Sequence, residues 1–186
     1  MTKSHSFIPQ THLLKQGSTV VIREAQVEDA MALNQLIRAY LKDSAYIPLE
    51  VGEFTKTQEE TQQWITAMQQ SSNSILLVAT HEGQLIGNID VTGNPRKALQ
   101  HTAILGMGLL APWRGCGLGS LLVQGVLDWA RTTSQLELLW LQVYEENKAG
   151  VALYRKHGFE TKGSMPTFIK VEGKYYTNQI MQKQLK

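Results

Sequence analysis

The stretch from residue 101 to residue 143 constrains the fold most, because it reads as a strand, a glycine-rich turn, a helix and a second strand. Residues 101–110 and 136–143 are apolar at most positions, as expected for strands that are covered on both faces. Residues 118–131 carry apolar side chains at helical spacing. A strand that returns through a helix runs parallel to the first strand, so this stretch predicts a βαβ unit.

The rest of the chain predicts further strands and helices of one domain. Apolar and β-branched runs predict strands at 19–25, 74–80, 84–91, 159–169 and 174–184. Apolar spacing and capping signals predict helices at 27–42, 57–71 and 147–158. A capping box at Thr57 and Glu60 opens the second of them, and Asn147 is the expected N-cap of the third. We therefore expect a single mixed α/β (α+β) domain over residues 19–186, preceded by an N-terminal extension, residues 1–18, whose order is left open.

Composition excludes several classes of protein. The 186 residues suit one domain, and 42% hydrophobic with 18% charged residues indicates neither a disordered nor a membrane protein. A net charge of +2 gives no reason to expect a nucleic-acid partner. The single cysteine cannot form an internal disulfide, and neither a signal peptide nor an apolar run of membrane-spanning length is evident. We expect a cytoplasmic protein without membrane association.

The glycine-rich turn predicts a phosphate-binding site. Glycines lack a Cβ and let a backbone approach a ligand closely, and the helix start that follows offers free N–H groups and a positive dipole end. A P-loop is excluded because no lysine follows the last glycine, and the G-x-G-x-x-G dinucleotide spacing is absent. What remains is R-x-x-G-x-G at Arg114, Gly117 and Gly119. An ordinary turn before a helix is the alternative for these glycines alone.

A second motif follows about thirty residues later. The segment from Asn147 to Phe159 fits N-x-x-A-x-x-L-Y-x-x-x-G-F at nearly every fixed position, including Tyr154. Together the two motifs resemble the signatures of the Gcn5-related N-acetyltransferase (GNAT) family, and the resemblance extends over about residues 19–184. It implies a mixed, mostly antiparallel central sheet with one splayed parallel strand pair and helices on both faces.

The resemblance also implies a cosubstrate and roles for individual residues. The cosubstrate is acetyl-CoA, with no metal, and the reaction is direct transfer of the acetyl group to a primary amine in a ternary complex. Tyr154 matches the tyrosine that often acts as general acid. The implied acetyl-CoA contacts are the pantetheine-binding backbone near Met107, Leu109 and Leu110, the pyrophosphate cradle Arg114, Gly115, Cys116, Gly117, Leu118, Gly119 and Ser120, and Asn147.

The general base stays unassigned. Many relatives place a glutamate on the strand before the glycine-rich loop, but residues 101–110 contain no carboxylate. Asp90, His101 and Glu145 are candidates, and each is more readily interpreted as a surface residue. Cys116 occupies a variable motif position without a partner histidine motif, so we expect no catalytic role for it. The histidines show no metal-ligand spacing.

The acceptor is the least determined part of the function. Residues 43–60 carry five acidic side chains against one lysine and lie where the family commonly binds its acceptor. They suggest a cationic amine, such as a polyamine, an aminoglycoside-like compound or a peptide N-terminus, while a solvated loop is equally consistent. A non-catalytic acyl-CoA sensor, transfer of another acyl group or to oxygen, and a dinucleotide-binding oxidoreductase are the alternative functions. The last two strands offer a surface for a homodimer.

Overall fold

A computed structural model describes residues 7–132 and 135–186. Residues 1–6 of the predicted extension lie outside the described residues. Short 3₁₀ turns precede α1, α2 and α3. The described residues form eight strands and four helices: β1 Gln10–Leu13, β2 Thr19–Glu24, α1 Ala30–Asp43, α2 Gln58–Gln70, β3 Ile75–His81, β4 Gln84–Gly93, β5 Thr102–Leu109, α3 Leu118–Thr132, β6 Leu138–Tyr144, α4 Lys148–Lys156, β7 Glu160–Val171 and β8 Lys174–Gln184.

All the strands and helices predicted from the sequence are present, with ends shifted by a few residues. The predicted helix at 27–42 starts as a 3₁₀ turn, and α1 proper begins at Ala30. Asp29 fixes this start, because its carboxylate accepts a bidentate hydrogen bond from Arg23 at 2.6 and 2.8 Å and another from the Gln26 N–H at 2.7 Å. The capping box that opens α2 is confirmed, since the Thr57 Oγ1 and Glu60 carboxylate satisfy each other's backbone N–H groups.

The N-terminal extension contributes a strand that the sequence analysis did not predict. β1 pairs antiparallel with β2, from Gln10 opposite Ile22 to Leu13 opposite Thr19. Leu14, which follows the strand, is buried in the core. The described part of residues 1–18 is therefore an edge of the same sheet.

The eight strands form one sheet in the order β1-β2-β3-β4-β5-β6-β8-β7, in which only β5 and β6 are parallel. This confirms the predicted fold class. β5 and β6 pair only from Thr102 opposite Leu138 to Ile104 opposite Trp140. Beyond that point β5 stays paired with β4, and β6 stays paired with β8 as far as Tyr144. The two parallel strands therefore separate and leave a wedge in the middle of the sheet.

Helices cover both faces of the sheet and bury its apolar side chains. On one face α3 and α4 pack over a core that includes Leu122 and Leu139, and on the other α1 and α2 pack over a core that includes Ile65 and Val78. All four of these side chains are fully buried. Within the described residues no helix is long and apolar enough to cross a bilayer.

The two glycines of β5 make room for side chains of the protein itself. Glycine within a strand usually marks a bulge or the close approach of a ligand or another backbone, but β5 pairs with β4 without irregularity. A Cβ on Gly108 would collide with the Tyr40 ring of α1, and one on Gly106 would lie 2.9 Å from Asp90 Oδ1. The small residues thus allow Tyr40 and Asp90 to lie against the strand.

We expect Gly108→Ala to lower the free energy of unfolding by about 1–3 kcal/mol, because the added methyl group displaces the Tyr40 ring from a packed site. Urea denaturation measures the loss, and Gly52→Ala, where a Cβ meets open space, is the control. The cost should shrink when Tyr40 is also replaced by alanine. Equal costs in the two backgrounds would contradict this assignment.

Candidate active site

A cleft of about 550 Å³ occupies the wedge between β5 and β6. One wall is β5, with Met107 and Leu109, and the other is β6, with Gln142 and Val143. The cleft is closed by four further segments: the β1–β2 turn, the loop after α1, the glycine-rich loop with the start of α3, and one side of α4. The predicted βαβ unit thus brings both sequence motifs to one cavity.

The glycine-rich loop presents backbone N–H groups to the cleft. Gly115 and Gly117 have φ values of +75° and +101°, which favour glycine, and a Cβ on either would meet nothing within 4 Å. In the described part of the chain, no backbone hydrogen bond is donated by the N–H groups of residues 115–119, whereas those of Ser120 and Leu121 bond to Gly117. Free N–H groups at a helix start, beside open space, fit an anionic group such as a phosphate.

Cationic side chains surround this loop, and two of them belong to neither sequence motif and were not predicted as site residues. Lys15, from the β1–β2 turn, and Lys156, at the end of α4, both line the cleft. Arg114 also lines it, but its guanidinium donates to the carbonyl groups of Leu109 at 3.1 Å and Asp43 at 3.3 Å. Arg114 therefore ties the end of β5 to the end of α1, while the lysines offer charge to an anion.

Ser120 joins this cationic rim to α4. Its Oγ lies 2.8 Å from His157 Nε2 and accepts a hydrogen bond from Lys156 Nζ at 3.3 Å. Burial, followed by the charges of Lys156 and Lys183, lowers the pKa of His157 below its ordinary value, so the imidazole favours its neutral form. The contact fixes the first turn of α3 against the last turn of α4.

Not every predicted contact residue faces the cleft. Leu110 is absent from its lining, and its N–H donates to the Ile86 carbonyl at 3.1 Å. The Leu118 side chain is fully buried in the core. Cys116 is buried and donates its thiol to the Trp113 carbonyl at 3.1 Å. Cys116 and Leu118 can serve an anion only through their backbone N–H groups.

Asn147 and Tyr154 bring α4 to the cleft. The Asn147 side chain accepts the Gly150 N–H at 2.9 Å, which makes Asn147 the predicted N-cap of α4 and fixes its position at the cleft. Tyr154 is only 8% exposed, lines the cleft and packs its ring edge-on against Phe159. Burial, and after it the charge of Asp90, raises the pKa of Tyr154 above its ordinary value. The phenol therefore stays protonated at neutral pH and can donate a hydrogen bond.

The three candidate bases differ in position. His101 lies at the closed end of the wedge, where its carbonyl accepts hydrogen bonds from Glu137 and Leu138, and Glu145 is not part of the cleft lining. Asp90, which sequence analysis placed at the surface, is half-buried on β4 beside Gly106, a cleft-lining residue. Burial raises the pKa of Asp90 to about 6, although a hydrogen bond from Thr92 Oγ1 at 3.2 Å opposes the shift.

Residues 43–60 contribute to the cleft lining, but none of their acidic side chains is part of it. The cleft-lining residues of this acidic stretch are Ser44, Tyr46, Ile47 and Pro48. The carboxylates of Glu53 and Glu60 instead accept the N–H groups of Glu50 and Thr57, both at 2.8 Å, and none of the stretch's acidic residues lines the cleft. The segment therefore contributes no carboxylate to the cleft lining, and the anionic acceptor surface stays a prediction.

An aromatic cluster adjoins the cleft instead. Tyr144 stacks edge-on with Tyr46 at 5.8 Å and with Tyr176 at 5.4 Å between ring centroids. The Tyr144 hydroxyl and one carboxylate oxygen of Glu146 are buried and make no hydrogen bond within the described protein. Burial, followed by the Tyr176 and Glu146 charges, raises the pKa of Tyr144. A buried oxygen of Glu146 beside aromatic rings suits a hydrogen-bond donor such as an amine.

Metal-ligating side chains do not cluster in residues 7–132 and 135–186. Groups of three or more His, Cys, Asp or Glu residues placed to hold a metal ion are absent there.

Comparisons with known proteins agree on one family. A model of the family described as "Acetyltransferase (GNAT) family" matches residues 35–159, about two thirds of the chain. The chain is 25% identical over 161 residues to L-amino acid N-acetyltransferase AaaT of Escherichia coli strain K12, covering 85% of this chain and 93% of that protein.

Two solved structures share the fold. An acetyltransferase of the GNAT family from Streptococcus pneumoniae superposes with a TM-score of 0.86 at 30% identity, covering 89% of this chain and 98% of that one. YncA of Salmonella typhimurium, solved with its cofactor acetyl-CoA, superposes with a TM-score of 0.80 at 21% identity, covering 90% of this chain and 94% of that one.

We expect Asp90→Asn to stabilise the fold more at pH 8 than at pH 4.5. In the folded protein Asp90 keeps its proton up to about pH 6, whereas in the unfolded chain it loses the proton at lower pH. The contribution of the protonated acid to the free energy of unfolding is therefore complete below the unfolded-state pKa and is lost as the pH rises through about 6. Urea unfolding at both pH values should show a difference on the order of 2 kcal/mol between them. Asp128→Asn, at an exposed site on α3, corrects for the loss of one charge, and an equal effect for the two variants would contradict the prediction.

Proposed function

This chain belongs to the GNAT family of acetyltransferases, and we propose that it transfers the acetyl group of acetyl-CoA to the primary amine of a small molecule, with an α-amino acid as the first candidate. The observation that carries the proposal is the wedge between β5 and β6, which has free backbone N–H groups at one end and the phenol of Tyr154 in its wall. The two family motifs supply these two parts of the site.

The polar groups of the cleft match the polar groups of acetyl-CoA. The N–H groups of residues 115–119 and the ammonium groups of Lys15 and Lys156 suit the pyrophosphate. Beyond Ile104, β5 and β6 are no longer paired with each other, so their facing edges offer backbone groups to the amides of a pantetheine arm. Met107, Leu109 and Asn147 line the same cleft and complete the proposed binding set.

Tyr154 acts on the sulfur in this proposal. When acetyl-CoA is bound it supplies a thioester, whose carbonyl carbon accepts the amine and whose sulfur leaves as a thiolate. Tyr154 donates a hydrogen bond to the developing thiolate, because its raised pKa keeps the hydroxyl protonated. The same burial makes the phenol a weak acid, so its contribution is stabilisation of negative charge as well as proton donation.

The choice of a small amine rests on a relative and on the aromatic cluster. The Escherichia coli relative is named for L-amino acids, and the cluster of Tyr46, Tyr144 and Tyr176 with Glu146 lies beside the cleft. Rings and a carboxylate together suit a cationic amine. A peptide N-terminus presents the same α-amine and is the second acceptor to test.

We extend the proposal to the location, the partners and the oligomeric state of the protein. We place it in the cytoplasm, without a nucleic-acid or membrane partner, which agrees with the near-neutral charge of +2. A homodimer through the β7–β8 hairpin is supported by the exposed side chains of Phe168 and Tyr175. Multi-angle light scattering tests that assembly.

A free-thiol release assay tests the activity. Purified protein with acetyl-CoA should release CoA thiol in the presence of one or more amines from a panel of L-amino acids, D-amino acids, polyamines, aminoglycosides and peptide N-termini. Mass spectrometry should then identify the N-acetylated product. Binding of acetyl-CoA with no thiol release for any amine favours the sensor alternative, and stabilisation by NAD but not acetyl-CoA favours an oxidoreductase.

We expect Tyr154→Phe to lower kcat by at least tenfold while the dissociation constant for acetyl-CoA changes less than twofold, because the ring remains and only the hydroxyl is lost. Steady-state kinetics and calorimetric titration measure the two quantities. Tyr175→Phe, which removes an exposed hydroxyl on β8, should leave both unchanged. An unchanged kcat for Tyr154→Phe would exclude the phenol from the reaction.

We expect Gly117→Ala to weaken acetyl-CoA binding by tenfold or more, because alanine disfavours the positive φ and its methyl group enters the anion cradle. Gly173→Ala is the matched control, since Gly173 also has a positive φ and open space but lies in the β7–β8 turn. Thermal unfolding should show similar losses for the two variants, while calorimetric titration should separate them. Equal affinities would remove the cradle from the cosubstrate site.

A further inference from the structure

We propose that Asp90 is the general base of the reaction, a carboxylate supplied from β4 across Gly106 in place of a carboxylate on β5. This inference rests on the proposed function and assigns the group that takes the proton from the acceptor amine.

The position of Asp90 depends on the missing side chain of Gly106. The two residues are paired across β4 and β5, and Asp90 Oδ1 lies 2.9 Å from the place of a Cβ on Gly106. The carboxylate therefore lies over Gly106, which itself lines the cleft. β5 has no carboxylate of its own between Thr102 and Leu109. Asp90 is not itself part of the cleft lining, but the glycine lets its carboxylate lie against the strand that forms the cleft wall.

Asp90 has no basic partner to neutralise it in the described residues, where no ion pair or hydrogen bond joins it to a lysine, arginine or histidine. On its own strand Thr92 donates to its second oxygen, and on β3 its partner Leu76 is apolar. A half-buried carboxylate without a counter-ion costs stability, which a structural role does not explain.

The titratable groups that Asp90 affects come from helices on both faces of the sheet. Its charge raises the pKa of Tyr40 on α1 and of Tyr154 on α4. Tyr154 lines the cleft, so the charge of Asp90 acts on one group of the site. The pKa of Asp90 itself, raised to about 6, leaves it ionised at neutral pH and close to the range in which a general base works best.

Asp90 takes part in one proton transfer of the reaction. Asp90 accepts one proton from the acceptor ammonium, which frees the lone pair on nitrogen. Nitrogen bonds to the carbonyl carbon, the carbon–sulfur bond breaks, and the sulfur leaves as a thiolate hydrogen-bonded to Tyr154. The second nitrogen proton passes to sulfur, so the products are the N-acetyl amide and the CoA thiol. Asp90 returns its proton to water.

Asp90 and Tyr154 are also coupled. The negative charge of Asp90 makes the phenol a weaker acid, and that charge disappears when Asp90 takes the proton of the amine.

Kinetics of Asp90→Asn and Thr92→Val test the assignment, with the amine of highest turnover in the panel as acceptor. For wild-type protein kcat/KM should fall on the acid side with an apparent pKa near 6. Asp90→Asn should lower kcat by about 10²–10⁴-fold and remove that limb, with acetyl-CoA affinity changed less than twofold. Thr92→Val should move the limb to higher pH, because the lost hydrogen bond had favoured the carboxylate.

Thr66→Val is the matched control, since among the described residues its hydroxyl bonds only to the Gln62 carbonyl within α2, and its profile should equal that of the wild type. Circular dichroism verifies that each variant is folded, and Thr92→Val carries the test if Asp90→Asn does not fold. A profile unchanged in both variants would overturn the role of Asp90 and leave the proposed function intact. Wild-type protein that releases no thiol with any amine would overturn the proposed function and this role with it.

Discussion

The separation of β5 and β6 is the constraint on which the rest of the structure depends. A parallel pair that stayed in register would satisfy its own backbone groups and leave no cleft. Here pairing stops after Ile104, because β5 continues along β4 while β6 continues along β8 to Tyr144. The outer strands and the helices on both faces hold the wedge open. Binding groups are thus available from backbone as well as from side chains.

Glycine serves two opposite purposes around this wedge. In the loop, Gly115 and Gly117 keep the space beside the backbone open, which suits an anion. In β5, Gly106 and Gly108 allow space to be filled, by the carboxylate of Asp90 and the ring of Tyr40. The missing Cβ therefore favours a ligand in the first case and the protein's own side chains in the second.

The buried ionisable groups near the cleft lower the stability of the fold and suit acid–base catalysis. Burial holds Tyr154 protonated and raises the pKa of Asp90 toward neutral pH, and each shift disfavours the charged form in the folded state. A protein selected for stability alone would pair or expose such groups. Tyr154 lines the cleft, and Asp90 lies beside Gly106 of its lining. Ionisable groups with shifted pKa values are common at active sites.

The sequence by itself determined the strands, the helices, the two motifs and the capping interactions of Thr57 and Asn147, because each depends on neighbouring residues and on regular spacing. It did not reveal β1, the cationic residues Lys15 and Lys156, or the aromatic cluster, and it misplaced Asp90 at the surface. These features arise when strands pair in a given register and distant segments meet. The acidic stretch shows the same limit, since two of its five carboxylates bond to nearby backbone while its tyrosine lines the cleft. Local patterns decided which elements form, and only the tertiary structure decided which side chains share the cleft, because burial and charge depend on neighbours that the chain brings together in space.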